Sequence, residues 1–147
     1  MTELHPQLAR DCLVLGRFVL CSVLLMRDAN YPWFILVPER DNIAEIFQLP
    51  EADRQRLMQE SSLFARLLHR EFAADKLNIA ALGNIVPQLH IHHVVRYQTD
   101  PTWPAPVWGR IPAAAYSDNA LSEIVNKTCD ALATVPELGF KKTVKTL

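Results

Sequence analysis

The stretch Pro87-Gln88-Leu89-His90-Ile91-His92-His93-Val94-Val95-Arg96 constrains this chain more than any other. Three of the five histidines stand within four residues, set among Leu, Ile and Val. Apolar residues alternating with polar ones make the pattern of a β-strand, whose side chains point to opposite faces at every second residue. A strand over 88–95 predicts Gln88, His90 and His92 on one face and Leu89, Ile91 and His93 on the other. The two imidazoles of the first face then stand roughly 7 Å apart, at a rise of about 3.3 Å per residue. That face is polar and nearly free of charge, which suits neutral imidazole as a nucleophile or proton carrier. Plainer readings compete with this one. A strand histidine is often a half-exposed or hydrogen-bonded core residue. His-x-His on a strand can also ligate zinc, but a zinc site wants three or four protein ligands. Cys12, Cys21 and Cys129 show no Cys-x-x-Cys spacing, so neither a metal nor another cofactor is expected.

The rest of the chain predicts a single domain over 1–147, long enough to bury a sizeable core. Half of its residues are hydrophobic and its formal charge is −1, so bulk electrostatics suggests neither nucleic acid nor an acidic membrane as partner. Three cysteines, an odd count without a framework, fit a reducing compartment, and the expected location is cytoplasmic. Met-Thr-Glu-Leu-His at the start lacks the basic region of a signal peptide. The apolar run from Cys12 to Met26 is broken by Arg17 and falls short of the about 20 residues a bilayer span needs.

Leu13-Val14-Leu15 predicts a short strand, Gly16-Arg17 a turn, and Phe18 to Met26 a returning strand. Arg27 to Pro32 is polar and proline-ended, hence a loop, and Trp33 to Val37 has the continuous apolar character of a strand covered on both faces. Leu57, Phe64, Leu68 and Phe72 recur at helical spacing between Glu51 and about Ala74, predicting one long amphipathic helix after Pro50. Leu77 to Ala81 begins another strand, and Gly83-Asn84 permits a tight turn before the histidine strand. Three prolines and two tryptophans in 101–109 predict an extended loop whose aromatics want burial. Ser117 or Asp118 can cap a last helix over 117–135 with Leu121, Ile124, Val125 and Leu132 inward, followed by a frayed basic tail from Lys141 to Leu147. The fold class is α+β: a mostly antiparallel sheet of about five strands, one long helix packed on it, and a C-terminal helix.

Gln-Leu-His-Ile-His-His-Val-Val-Arg resembles the signature of the histidine triad (HIT) superfamily, His-φ-His-φ-His-φ-φ with φ apolar. Asn78, Gly83-Asn84-Ile85-Val86 and Trp33-Phe34-Ile35-Leu36-Val37-Pro38 resemble further family motifs in family order, over about residues 10 to 110. Gln88 stands at the first triad position and Ile85 where the family has Ser or Thr. The resemblance, strongest to diadenosine polyphosphate hydrolases, implies a HIT-like fold, a homodimer, and transfer or hydrolysis at the α-phosphate of a nucleotide. It implies His90 as the nucleophile that forms a nucleotidyl-histidine, and His92 as the residue at the phosphate and leaving group. Gln88 keeps a hydrogen-bonding group in support. Gly83 and Asn84 match backbone donors to phosphate oxygens, Asp28 a carboxylate on the ribose hydroxyls, and Asn78 an amide on ribose or phosphate. From the residues alone, Asp28 is equally a turn-stabilising Asp and Asn78 equally a structural strand Asn. Trp103 matches a C-terminal-loop aromatic that approaches the partner's site in some family members, or else is a plain loop anchor, and Met26 is either base-pocket lining or core. Two other functions stay open: a nucleotide-binding HIT-fold protein with little turnover, and a metal enzyme using His90, His92 and His93.

Overall fold

The computed structural model describes residues 2–144. The elements run α1 (Pro6–Asp11), β1 (Cys12–Arg17), β2 (Cys21–Met26), β3 (Trp33–Pro38), α2 (Glu51–Glu71), β4 (Lys76–Ala80), β5 (Ile91–Arg96), α3 (Asp118–Leu132) and β6 (Lys141–Lys142). The strands form one six-stranded sheet in the order β4-β5-β3-β2-β1-β6, and each neighbouring pair is antiparallel. The α+β class is therefore as expected, with a sixth strand added. That strand comes from Lys141 and Lys142, which pair with Arg17 and Gly16 instead of fraying. Residues 145–147 of the expected tail lie outside the described residues.

Gly16 shows why β6 can dock. A Cβ on Gly16 would lie 2.3 Å from the Lys141 carbonyl oxygen and 2.7 Å from the Phe140 ring, so only glycine admits the added strand. Gly16 and Arg17 consequently belong to β1, and the chain reverses at 18–20 rather than at 16–17. The backbone amides that reversal exposes are taken by Glu60 of α2. Its fully buried carboxylate accepts from Leu20 N at 2.8 Å and Cys21 N at 3.0 Å, and from Arg56 Nε at 2.8 Å. Helix and hairpin are thus joined by charge-assisted bonds as well as by packing.

The period-2 pattern of the central strands sorts their side chains between two cores. Phe34, Leu36, Ile91 and Val95 face α2 and α3 in one cluster with Phe64, Leu68, Val125 and Leu132. Trp33, Ile35, Val37 and Val94 face the other side with Leu8 of α1, Tyr31, Val86 and Val107. Ser117 caps α3 as expected, its Oγ accepting from Ala120 N at 3.2 Å. The short helix α1 has no counterpart in the sequence reading. Pro6 opens it and His5 caps it, accepting from Gln7 N. No described helix is long and apolar enough to cross a membrane.

Candidate active site

His92 lies opposite Ile35 in the β5–β3 register and His93 opposite Phe34, which fixes the two imidazoles on opposite faces of the sheet. His93 points to α2. It is fully buried, its Nδ1 donates to the Ile91 carbonyl at 3.2 Å, and its Nε2 accepts from Ser61 Oγ at 2.8 Å. Burial, the largest effect, pushes its pKa down to about 4, against the upward pull of its bonds to Ile91 and Ser61. It is a core histidine.

His90 and His92 turn the other way. Their rings meet edge-on with centroids 4.9 Å apart, closer than the rise of an ideal strand predicts. The strand begins only at Ile91, and His90 lies in the irregular segment before it, two residues after a bend at Gln88. That bend lets His90 Nδ1 donate to the Gln88 carbonyl at 2.7 Å, two residues back. A carbonyl can only accept, so Nδ1 carries the hydrogen and the Nε2 of the neutral ring keeps its lone pair. His92 Nδ1 accepts instead from the indole Nε1 of Trp33 at 3.0 Å. Burial, followed by the neighbouring His90 and His93, pushes His92 down to about 3.

These rings form one end of a cavity of about 420 Å³, within the usual size of a small-molecule site. Leu8, Met26, Trp33 and Ile35 give it an apolar wall, and Trp108 covers His92 with ring centroids 5.4 Å apart. The Gly83-Asn84-Ile85-Val86 segment and Asp11 of α1 also line it. Cys12 also lines it, but burial and then Asp11 raise its thiol to about 12, which leaves no thiolate near neutrality. Among the described residues no cluster of three or more His, Cys, Asp or Glu is placed to hold a metal ion.

The structure thus brings together His90, His92, Gly83 and Asn84, and leaves three expected residues outside. Gln88 does not share the histidine face. It lies before the strand, where its Oε1 accepts from His5 N at 2.8 Å and its Nε2 donates to the Glu3 carbonyl at 3.1 Å. What it offers the site is its main-chain carbonyl. Asp28 is buried in its own loop, where one carboxylate oxygen accepts from Asn30 N, Asn30 Nδ2 and Ala114 N. This is the turn-stabilising role, tied in addition to the segment before α3. Asn78 shares the histidine face but lies two residues beyond, opposite Val94, and accepts from Arg96 Nη1 at 2.7 Å.

The Asn78 bond belongs to an anchor that shapes the site from outside. Arg96, 1% exposed, forms a two-pronged ion pair with Asp100 at 2.7 and 3.1 Å, and packs against the rings of Tyr31 and Trp103. It fixes the base of the loop whose far end carries Trp108 over His92. Within the chain it is Trp108 of that loop that meets His92, while Trp103 packs on Arg96. Met26 does line the cavity.

A HIT domain family model matches residues 7–99, nearly two-thirds of the chain, and spans the residues that line this site except Trp108 and Gly109. The chain belongs to the HIT family. Its triad position one is Gln88 instead of His, and the site it frames is built on the remaining two histidines with a tryptophan behind them. Among solved structures, a histidine triad protein from Marinobacter aquaeolei is 48% identical, with a TM-score of 0.88 over 91% of this chain and 98% of that one. A histidine triad protein from Bradyrhizobium japonicum is 41% identical over 88% and 97%, with a TM-score of 0.87. One from Sinorhizobium meliloti is 39% identical over 89% and 97%, with a TM-score of 0.86. A histidine triad nucleotide-binding protein from Sulfolobus tokodaii shares the fold at 13% identity, with a TM-score of 0.61 over 81% and 85%. Comparison with curated proteins finds no match.

Proposed function

We propose that this HIT protein binds a nucleotide in the histidine cavity and cleaves or transfers it at the α-phosphate through a nucleotidyl-His90 intermediate. The observation that carries this reading is the His90 Nδ1 bond to the Gln88 carbonyl, which in the neutral ring puts the lone pair on Nε2, the nucleophile this reading needs. Attack by that lone pair forms an N–P bond while the bond to the leaving oxygen breaks with its electron pair. The imidazolium so formed keeps its Nδ1–H on the carbonyl, a bond that strengthens as charge develops. Water then cleaves the N–P bond and releases the nucleoside monophosphate. The apolar wall suits a base, and the Gly83-Asn84 backbone can donate to phosphate oxygens.

Ile85 favours a second reading, nucleotide binding with little turnover. It puts a 78% exposed aliphatic chain where the family resemblance has a hydroxyl. Incubation with a dinucleoside polyphosphate, followed by denaturing quench and mass spectrometry, decides between the two. Release of nucleoside monophosphate, with an adduct of one nucleotidyl group on the peptide containing His90, supports the hydrolase. Saturable binding with neither product nor adduct supports the binding protein.

A further inference from the structure

We propose that Trp33 is a positioning residue whose indole N–H fixes His92 as an uncharged Nε2–H donor, fitting the site to leaving groups that depart as oxyanions. The second half rests on the nucleotide-cleaving reading above. The first half rests on the fold alone.

Indole nitrogen is a donor and never an acceptor. At 3.0 Å from Trp33 Nε1, His92 Nδ1 must therefore present a lone pair, and a neutral ring must carry its hydrogen on Nε2. A second proton on Nδ1 would set N–H against N–H across that distance. Trp33 is held in place to do this. It lies two residues from the partner of His92 on the next strand, Ile35, on the same face, a diagonal that a long aromatic side chain can span. It is 5% exposed and wedged edge-on between Tyr31 and Trp108, with centroids at 6.2 and 5.9 Å. The depressed pKa of His92 acts in the same direction. His92 Nε2 has no protein partner among the described residues, and among them the only sealed, unpartnered side-chain nitrogen or oxygen is Trp108 Nε1. His92 Nε2 is therefore open to the cavity.

The chemical consequence concerns protons. An uncharged imidazole that gave up its Nε2 hydrogen would become imidazolate, so His92 can hydrogen-bond to a leaving oxygen but not protonate it. As His90 Nε2 bonds to phosphorus, the departing oxygen leaves with the electron pair and without a proton from His92. A polyphosphate oxygen carries that pair readily as an anion. An alkoxide or an amine does not. The site accordingly suits nucleoside and dinucleoside polyphosphates over nucleotides bonded to amines.

Nitrogen-15 NMR of the imidazoles in the ligand-free full chain tests the first half without a substrate. The expected spectrum has His92 unprotonated at Nδ1 and protonated at Nε2, unchanged between pH 8 and 5. A Nδ1–H tautomer, or imidazolium at pH 7, overturns the proposal. In Trp33→Phe the opposing donor is gone, so His92 should titrate at higher pH and populate both tautomers. For that variant kcat should fall about tenfold to a hundredfold with KM nearly kept, part of the 10²–10³ that one oriented donor contributes. If Trp33→Phe does not fold, the wild-type spectrum still decides. For the second half, wild-type rates across adenylate aryl esters should drop steeply as the departing phenol becomes more basic. A flat series means that a proton is delivered and overturns it. The expected spectrum with no turnover of any nucleotide overturns the leaving-group half together with the hydrolase reading, and leaves the role of Trp33 intact.

Discussion

His90 and His92, side by side on one face, are bonded at Nδ1 in opposite senses: His90 donates to a carbonyl and His92 accepts from an indole. Two identical side chains thereby acquire different chemistry at Nε2, a lone pair on one and a hydrogen on the other. The difference is set by the backbone bend at Gln88 and by one aromatic on the adjacent strand. A third histidine next in sequence takes no part, because the strand sends it into the α2 core.

Substitution of each histidine by Ala should separate these roles. His90→Ala is expected to abolish turnover and adduct while the chain stays folded. His92→Ala should keep the nucleophile and lose about 10²–10³ in kcat, the value of one oriented donor. His93→Ala should keep the adduct at His90 and lose about 2–4 kcal/mol of stability, because it opens a void and strands the Ser61 hydroxyl. Rapid-quench labelling and urea unfolding read the two effects. An adduct on His93 would contradict the register.

Stability should fall on mild acidification, well before carboxylates titrate. Above pH about 6.5, the ordinary histidine value, neither folded nor unfolded chain protonates His92 and His93, and they add no pH dependence. Between there and about 4 the unfolded chain takes up protons that the folded chain refuses, since His93 sits near 4 and His92 near 3. Each imidazole then costs up to about 1.4 kcal/mol per pH unit as pH falls. Urea midpoints at pH 7.5, 6 and 5 should descend in that order. A level series would mean that these rings protonate freely in the fold.

Arg96→Met should destabilise the chain by about 3–5 kcal/mol, the cost of leaving a buried partner charge unpaired. Burial alone would raise the Asp100 carboxyl. The Arg96 guanidinium and the backbone amides of Thr102 and Tyr97 outweigh it and hold Asp100 below the usual carboxylate range. Loss of Arg96 also frees the loop that carries Trp108, so tryptophan emission should shift red before global unfolding. An unchanged urea midpoint and spectrum would show that the loop is held by other contacts.

Ribose recognition should follow Asp11 rather than Asp28. Asp11 lines the histidine cavity, whereas Asp28 is committed to Asn30 and Ala114. Asp11→Ala is expected to erase any preference for ribo- over deoxyribonucleotides, a loss of about tenfold or more for a charge-assisted bond. Asp28→Ala should lower stability and leave that preference. Binding titrations with both sugars on both variants decide it, and the reverse pattern restores Asp28 to the nucleotide.

The sequence made the strand–helix plan and the opposite facing of His92 and His93 readable because both follow from periodicity, which short stretches carry by themselves. It hid whatever depends on a distant partner. Gln88 alternates correctly with His90, yet the strand starts after both, and the N-terminal segment claims the amide. Trp33 looked like one more apolar strand residue, since a diagonal contact across 59 positions leaves no local trace. Trp103 and Trp108 share a loop, and only the Arg96 anchor decides which one reaches the histidines. Glu60 carries no local signal of its role because the amides it satisfies are about 40 residues away.

The protein should form a homodimer through the β4 end of the sheet. β4 is an edge strand, so one row of its backbone groups is unpaired among the described residues. Beside it Ile79, Leu82 and Ile85 are 47, 48 and 78% exposed, and Met58 on α2 is 67% exposed. Natural edges are usually guarded by charge or proline, and a cluster of bare aliphatics on one marks a surface that another chain covers. A second copy is the simplest partner, since two β4 edges can pair antiparallel about a twofold axis. The Gly83-Asn84-Ile85 lining of the cavity adjoins that edge, so dimerisation would cover Ile85 and frame the site. Sedimentation at micromolar concentration should give the mass of two chains, and Ile79→Lys should give the mass of one with the fold retained by circular dichroism. A wild-type monomer at those concentrations would refute the dimer. A dimer that survives Ile79→Lys would place the interface elsewhere.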